Sequence, residues 1–141
     1  MDLLDSYSVI VTDKVRECRD FYRDWFGFEV AFESDWFVLV QSGGTRPVSL
    51  AFMGLDHPSS PPSPAAHRGD GSFLTLQVAD AAAEHERVVA AGLDCDLALT
   101  EEPWGQRRFG VVDPAGMWVD VVEQIEPAEG WWDPYMTGSD R

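Results

Sequence analysis

The side chains able to do acid-base or metal chemistry are few and scattered in this chain of 141 residues. His57 and His67 lie in a proline-rich stretch and His85 lies in a predicted helix, so they share neither a helical face nor a metal-ligand spacing. Candidate acid-base carboxylates occur in two pairs, Glu101 with Glu102 and Glu123 with Glu126. Such pairs are most often solvated surface charges. No nucleophile elbow, phosphate loop or dinucleotide fingerprint occurs, so the residues identify no catalytic group.

Aromatic side chains offer a different chemistry, the stacking of flat organic molecules. The chain carries six tryptophans. Trp36 begins a predicted strand and suits a core or a pocket equally, and Trp104 either anchors its loop or borders a binding site. Trp131 and Trp132 make the tail over 126–141 too aromatic for solvent. We expect this tail to pack on its own domain or on a dimer partner, with a pocket lid as the less favoured alternative.

Charge and length restrict the classes of partner. Ten Lys and Arg against 25 Asp and Glu give a net charge of −15. This charge disfavours nucleic acid and anionic membranes, and it fits either a solvated surface or the attraction of cationic ligands. The length suits one domain over 1–141, without a spanning segment or a secretory signal. We therefore expect a cytoplasmic protein whose Cys18 and Cys95 are small buried apolar groups.

Hydrophobic periodicity predicts one order of elements in the first half of the chain. The expected strands are 8–11, 28–32, 36–40 and 48–53. A helix over 14–25 follows the first strand, with Asp13 as its cap and Gly27 at its end.

The same order returns in the second half, after a proline-rich linker over 55–71. The expected strands are 74–78, 95–99, 107–112 and 117–123. A helix over 81–91 follows the first of them, with Asp80 as its cap and Gly92 at its end. The chain is thus predicted to be a tandem repeat of strand, helix, strand, strand, strand.

Several motifs accompany this order. Val11-Thr12-Asp13 enters a helix that contains Phe21-Tyr22 and ends at Gly27-Phe28. Glu102-Pro103-Trp104-Gly105 precedes Phe109 and the turn Asp113-Pro114-Ala115-Gly116. Over residues 6–125 this pattern resembles the glyoxalase, bleomycin-resistance and extradiol-dioxygenase superfamily, the vicinal oxygen chelate proteins.

The resemblance implies an α+β fold of two tandem βαβββ modules. Their cupped mixed sheets would carry helices on the outer face and ligand sites inside, usually in a homodimer. On this view module 1 spans about 5–54 and module 2 about 72–125, separated by the linker and followed by the aromatic tail.

Enzymes of this family typically hold a divalent metal on a His from the first strand and a Glu from the last strand of each module. The two His positions fall at or beside Ser6 and Phe73. The last strand of module 1, within 48–53, carries no His, Asp or Glu, and that of module 2 offers Asp120 at the matching position. Because a catalytic site needs about three protein ligands, we expect no metal and no cofactor.

Strand alternation predicts which side chains would line the cups. If Asp120 points inward, Trp118 does too, and Phe73, Thr75 and Gln77 share one face of their strand. On the first strand Ser6, Ser8 and Ile10 would face inward. This mixture favours an organic-ligand pocket over a merely wet sheet face. The predicted ligand-binding residues are Ser8, Trp36, Phe52, Phe73, Thr75, Gln77, Trp104, Trp118 and Asp120.

Our leading hypothesis is a metal-free, dimeric binding protein of the bleomycin-resistance type. It would sequester an antibiotic or metabolite with flat aromatic and polar or cationic parts, which stack on Trp36, Trp104 and Trp118. The alternative is a lyase, isomerase or dioxygenase whose metal ligands lie in another register, or a metal-free catalyst that uses Asp120. A regulatory or scaffolding module is a third possibility.

Overall fold

The structure, a computed structural model, describes residues 1–61 and 65–138. Residues 62–64 of the predicted linker and 139–141 of the predicted tail lie outside the described residues. The strands are β1 (Tyr7–Val11), β2 (Glu29–Glu33), β3 (Phe37–Gln41), β4 (Ser49–Met53), β5 (Phe73–Gln77), β6 (Leu97–Glu102), β7 (Gln106–Val112) and β8 (Trp118–Gln124). The helices are α1 (Val15–Phe26), α2 (Ala81–Ala90) and a short 3-10 helix, Asp133–Tyr135.

The strands form two four-stranded mixed sheets of the same topology. The first has the order β1-β4-β3-β2 and the second the order β5-β8-β7-β6. In each sheet the first strand of the repeat pairs in parallel with the last, β1 with β4 and β5 with β8. The predicted α+β fold of two tandem βαβββ modules is confirmed. Within the described ranges, no helix is long and apolar enough to cross a membrane.

The chain divides into two compact units. Unit 1 contains residues 1–72 together with 112–117, and unit 2 contains 73–111 and 118–138 of the described chain. The turn between β7 and β8 therefore belongs to unit 1, although its flanking strands lie in unit 2.

The core of unit 1 lies between α1 and its sheet. Tyr22 is fully buried, stacks on Phe52 of β4 with ring centroids 5.4 Å apart, and meets the edge of Phe28. Its hydroxyl donates a hydrogen bond of 2.7 Å to the Oδ2 atom of Asp113. The Oδ1 atom of Asp113 accepts from the amides of Ala115 and Met117, so this buried carboxylate holds the turn.

The predicted cap of α1 is wrong. The helix begins at Val15, and the capping residue, Lys14, makes no side-chain capping bond. The hydroxyl of Thr12 accepts from the amide of Lys14 at 3.1 Å, a bond that lies before the first helical turn and does not cap it. The end of the helix is as predicted, because Gly27 adopts the left-handed conformation with φ of 70°.

Unit 2 repeats this arrangement with α2 against its sheet. Here the predicted cap is confirmed, since the Asp80 side chain accepts from the amide of Ala83 at 3.0 Å. Val88 of α2 and Phe109 of β7 are fully buried, and His85 meets the edge of Phe109 at 5.2 Å. The histidine of the second helix is therefore a packing residue.

Candidate functional site

Unit 1 contains a cavity of about 280 Å³ on the face of its sheet opposite α1. Three strands and the segment that follows β4 supply the lining residues, which are Tyr7, Val9, Val11, Trp36, Phe37, Met53, Ser59 and Pro61. No carboxylate, imidazole, thiol or amine is among them. The lining is that of a site for a small apolar or aromatic molecule, at the lower end of the usual size range.

Trp36 is the largest side chain of this lining, and another aromatic ring of the chain stacks on its indole. The His57 imidazole stacks on the indole with ring centroids 3.6 Å apart and ring planes 9° from parallel. Phe37 meets the same indole at 62°, with centroids 5.6 Å apart. The amide of Gly54 donates to the carbonyl of Trp36 at 2.8 Å. This bond fixes the start of the segment that follows β4.

Two predicted ligand-binding residues of unit 1 do not line the cavity. The prediction that Ser8 and Ile10 face inward is wrong, because Tyr7, Val9 and Val11 occupy that face of β1. Ser8 pairs with Leu50 and is directed to the side of the sheet that α1 covers, where its side chain is exposed.

Phe52 also belongs to the covered side. It is fully buried and stacked on Tyr22, so it is part of the core beneath α1. All five residues of β4 are buried, and alternation along a strand buried on both faces gives no sign of which face borders a cavity.

The predicted residues of unit 2 meet on one face of its sheet. The register pairs Phe73 with Trp118 and Thr75 with Asp120. Gln77, the next residue of β5 on that face, accepts a hydrogen bond from Gln124 at 3.2 Å. Phe73 is 62% exposed, so this face presents an aromatic ring to its surroundings.

Asp120 is buried at the centre of that face, with 3% of its surface exposed. Its Oδ1 atom accepts from the indole of Trp118 at 2.8 Å, and its Oδ2 atom accepts from Arg108 at 3.0 Å. Arg108 also donates to Glu102 at 2.9 Å. Asp120 is the only carboxylate among the predicted ligand-binding residues. Both of its oxygens already accept hydrogen bonds from other side chains of this protein.

Arg108 is held on its other side by Trp104, whose ring centroid lies 5.1 Å from the guanidinium carbon. Burial lowers the pKa of Arg108, but the hydrogen bonds and charges of Asp120 and Glu102 outweigh it, so the pKa is raised. The guanidinium is permanently charged. Because it lies over the Trp104 ring, a flat guest that stacked on Trp104 would have to share the indole with it.

The tail packs against the same tryptophan, within its own unit. The rings of Trp104 and Trp131 lie 5.8 Å apart, and the indole of Trp132 donates to the carbonyl of Trp104 at 2.8 Å. Trp104 therefore packs on the tail and on Arg108, and its role as a site residue stays a prediction.

The donor set does not fit a divalent metal. Over 1–61 and 65–138, no group of three or more His, Cys, Asp or Glu is placed to hold a metal ion. Asp120 already balances the charge of Arg108, and a cation bound there would have to displace the guanidinium.

Comparison with known families agrees with the repeated topology. A family model described as the Glyoxalase/Bleomycin resistance protein/Dioxygenase superfamily matches residues 4–121. The chain belongs to this superfamily. No curated protein matches the sequence.

Several solved structures share this fold at low identity. A glyoxalase/bleomycin resistance protein/dioxygenase from Nocardioides has 17% identity and a TM-score of 0.72, with 89% of this chain and 86% of that chain covered. A lactoylglutathione lyase from Agrobacterium tumefaciens has 20% identity and a TM-score of 0.67, with coverage of 84% and 92%. TioX from Micromonospora sp. ML1 has 19% identity and a TM-score of 0.68, with coverage of 84% and 97%.

Sequence reasoning missed two residues. The predicted ligand-binding residues include neither His57 nor Arg108. Strand alternation could have found Arg108. It lies two residues before Gly110 and therefore on the same face of β7, and Trp118 packs over Gly110 on that face. No local signal could have found His57, since its partner lies across a turn.

Proposed function

We propose that this protein binds a small aromatic molecule in the cavity of unit 1 and holds it without transforming it. The observation that supports the proposal is the composition of the lining, in which three aromatic side chains accompany no carboxylate, imidazole, thiol or amine. Metal activation and most general acid-base catalysis use such groups within reach of the reacting atoms, and the polar groups of this lining are the hydroxyls of Tyr7 and Ser59. Stacking and apolar burial require none of them.

The proposal extends to sequestration of an antibiotic or metabolite. A cavity of about 280 Å³ is too small to enclose a large glycopeptide. It suits the flat aromatic portion of a larger molecule, or a compact aromatic metabolite. The net charge of −15 would speed encounter with a guest that carries a positive group outside the cavity.

A homodimer is part of the proposal. Apolar side chains on the sheets remain solvent-exposed in the single chain, among them Tyr7 at 49%, Phe32 at 56% and Phe73 at 62%. Exposed aromatic surface of this kind is typical of an interface.

The test is a calorimetric titration of the purified protein with a panel of glycopeptide and polycyclic antibiotics, including their isolated aromatic chromophores. We expect saturable binding of at least one chromophore by the wild type, and weaker binding by Trp36→Ala. The matched control is Trp132→Ala, which removes an exposed indole in unit 2. Failure of every compound to bind would refute the proposal.

A further inference from the structure

His57 stands out among the three histidines because it is stacked on a residue of the proposed binding cavity. The two rings are nearly parallel, with centroids 3.6 Å apart and planes 9° from each other, so one face of the Trp36 indole already holds a flat ring. The imidazole itself does not line the cavity. It covers the surface of Trp36 instead.

The segment that carries His57 is short and is tied mainly to itself. Asp56 adopts φ of 55°, which turns the chain back over β3 and β4 after Gly54. The Nδ1 atom of His57 contacts the Ser59 hydroxyl at 2.7 Å, and its carbonyl accepts from the amide of Ser60 at 2.9 Å. The ring contact that this imidazole makes outside its own segment is the stack on Trp36.

Ser59 and Pro61 of the same segment form part of the cavity wall. Movement of His57 away from Trp36 would therefore widen the cavity and uncover the indole together. A ring that takes the place of His57 gains the stacked surface, and the cost is limited to the contacts of one short turn.

We propose that His57 occupies the place of a planar nitrogen heteroaromatic guest on Trp36, so that segment 55–61 competes with the guest and is displaced by it. This inference rests on the proposed function, and it names both the chemical class of the guest and the element that regulates access. The chain supplies its own imidazole as the occupant of an aromatic surface that would otherwise face solvent.

The direct test is proton NMR of the wild-type protein during titration with quinoline, a planar bicyclic heteroaromatic. The ring current of Trp36 should shift the His57 ring protons upfield in the free protein, and the His57→Ala spectrum assigns them. We expect these resonances to move to ordinary histidine positions in proportion to quinoline binding. Camphor, which is apolar and bicyclic but not planar, should leave them upfield.

Calorimetry on two variants gives an independent test. His57→Ala removes the competitor and should bind quinoline about two- to tenfold more tightly than the wild type, the range expected from loss of one stacked ring. His57→Phe keeps a flat ring on Trp36 and should bind within twofold of the wild type. A histidine that merely supports the cavity wall would give the opposite order, with weaker binding by His57→Ala.

The outcomes separate this inference from the proposed function. Quinoline binding with His57 still shifted upfield, or weaker binding by His57→Ala, would overturn the competition and leave the binding function standing. No quinoline binding by any of the three proteins would overturn the named guest class. The binding function itself would fall only if the antibiotic chromophores also failed.

Discussion

Gly110 of β7 is the residue whose substitution the structure predicts most sharply. A Cβ atom built on Gly110 would lie 2.0 Å from Cζ2, 2.6 Å from Cε2 and 2.7 Å from Cη2 of Trp118. The indole cannot give way cheaply, because its Nε1 atom is bonded to the buried Asp120 at 2.8 Å. Gly110→Ala therefore forces either the ring from its place or the strand from its register.

The expected cost of Gly110→Ala is roughly 1–3 kcal/mol in the free energy of unfolding, the usual range for overpacking. For a chain of this length that corresponds to a fall in Tm of roughly 3–9 °C. Urea denaturation followed by circular dichroism measures the free energy directly. Trp118→Ala removes all three clashing atoms, so in that background the glycine substitution should cost less than about 0.5 kcal/mol.

The double-mutant cycle tests whether Trp118 packs over Gly110. A coupling free energy near the full cost of Gly110→Ala is expected between the two positions. An equal cost of Gly110→Ala with and without the indole would refute the packing of Trp118 over Gly110. That result would also remove the support for the arrangement of Asp120 and Arg108 on this face.

Three further predictions concern ionised groups and assembly. Burial raises the pKa of Asp113 in the folded state despite the Tyr22 hydrogen bond, so the folded chain binds more protons than the unfolded chain just above the ordinary aspartate pKa. Stability should thus fall as pH rises through that range, and pH-dependent urea denaturation should show this component lost in Asp113→Asn. Arg108→Ala leaves the carboxylate of Asp120 buried with the Trp118 bond alone and should cost roughly 2–3 kcal/mol in urea denaturation, whereas Arg87→Ala on the surface of α2 should cost less than about 1 kcal/mol. Light scattering should give twice the mass of one chain, and a monomer at all concentrations would contradict the dimer.

The order of the elements could be predicted from the sequence because it depends on local signals. The left-handed Gly27 and the Asp80 cap mark helix boundaries through backbone geometry and one side-chain bond. The cap of α1 could not be chosen this way, because Thr12 and Asp13 are both competent capping residues. The structure uses neither of them, because Lys14 takes the capping position without a side-chain bond.

The cavity was harder to predict, because it depends on which side of each strand the helix covers. The face of β1 that borders the cavity is set by its parallel pairing with β4. Because β4 is buried on both sides, its sequence does not show which side faces the cavity. For this reason the predicted ligand-binding residues include Ser8 and Phe52, which do not line the cavity, beside Trp36, which does. The His57 stack arises from a turn in a proline-rich segment, where periodicity carries no information.

The central claim is that the cavity of unit 1 binds an aromatic guest without a metal. The most direct measurement is calorimetric titration of chelator-treated protein with the antibiotic chromophores, for the wild type and for Val9→Trp, which fills the cavity from an exposed position. We expect the chelator-treated wild type to bind a chromophore saturably, and we expect Val9→Trp to lose this binding. Undiminished binding by Val9→Trp, or binding that appears only after a divalent metal is restored, would contradict it.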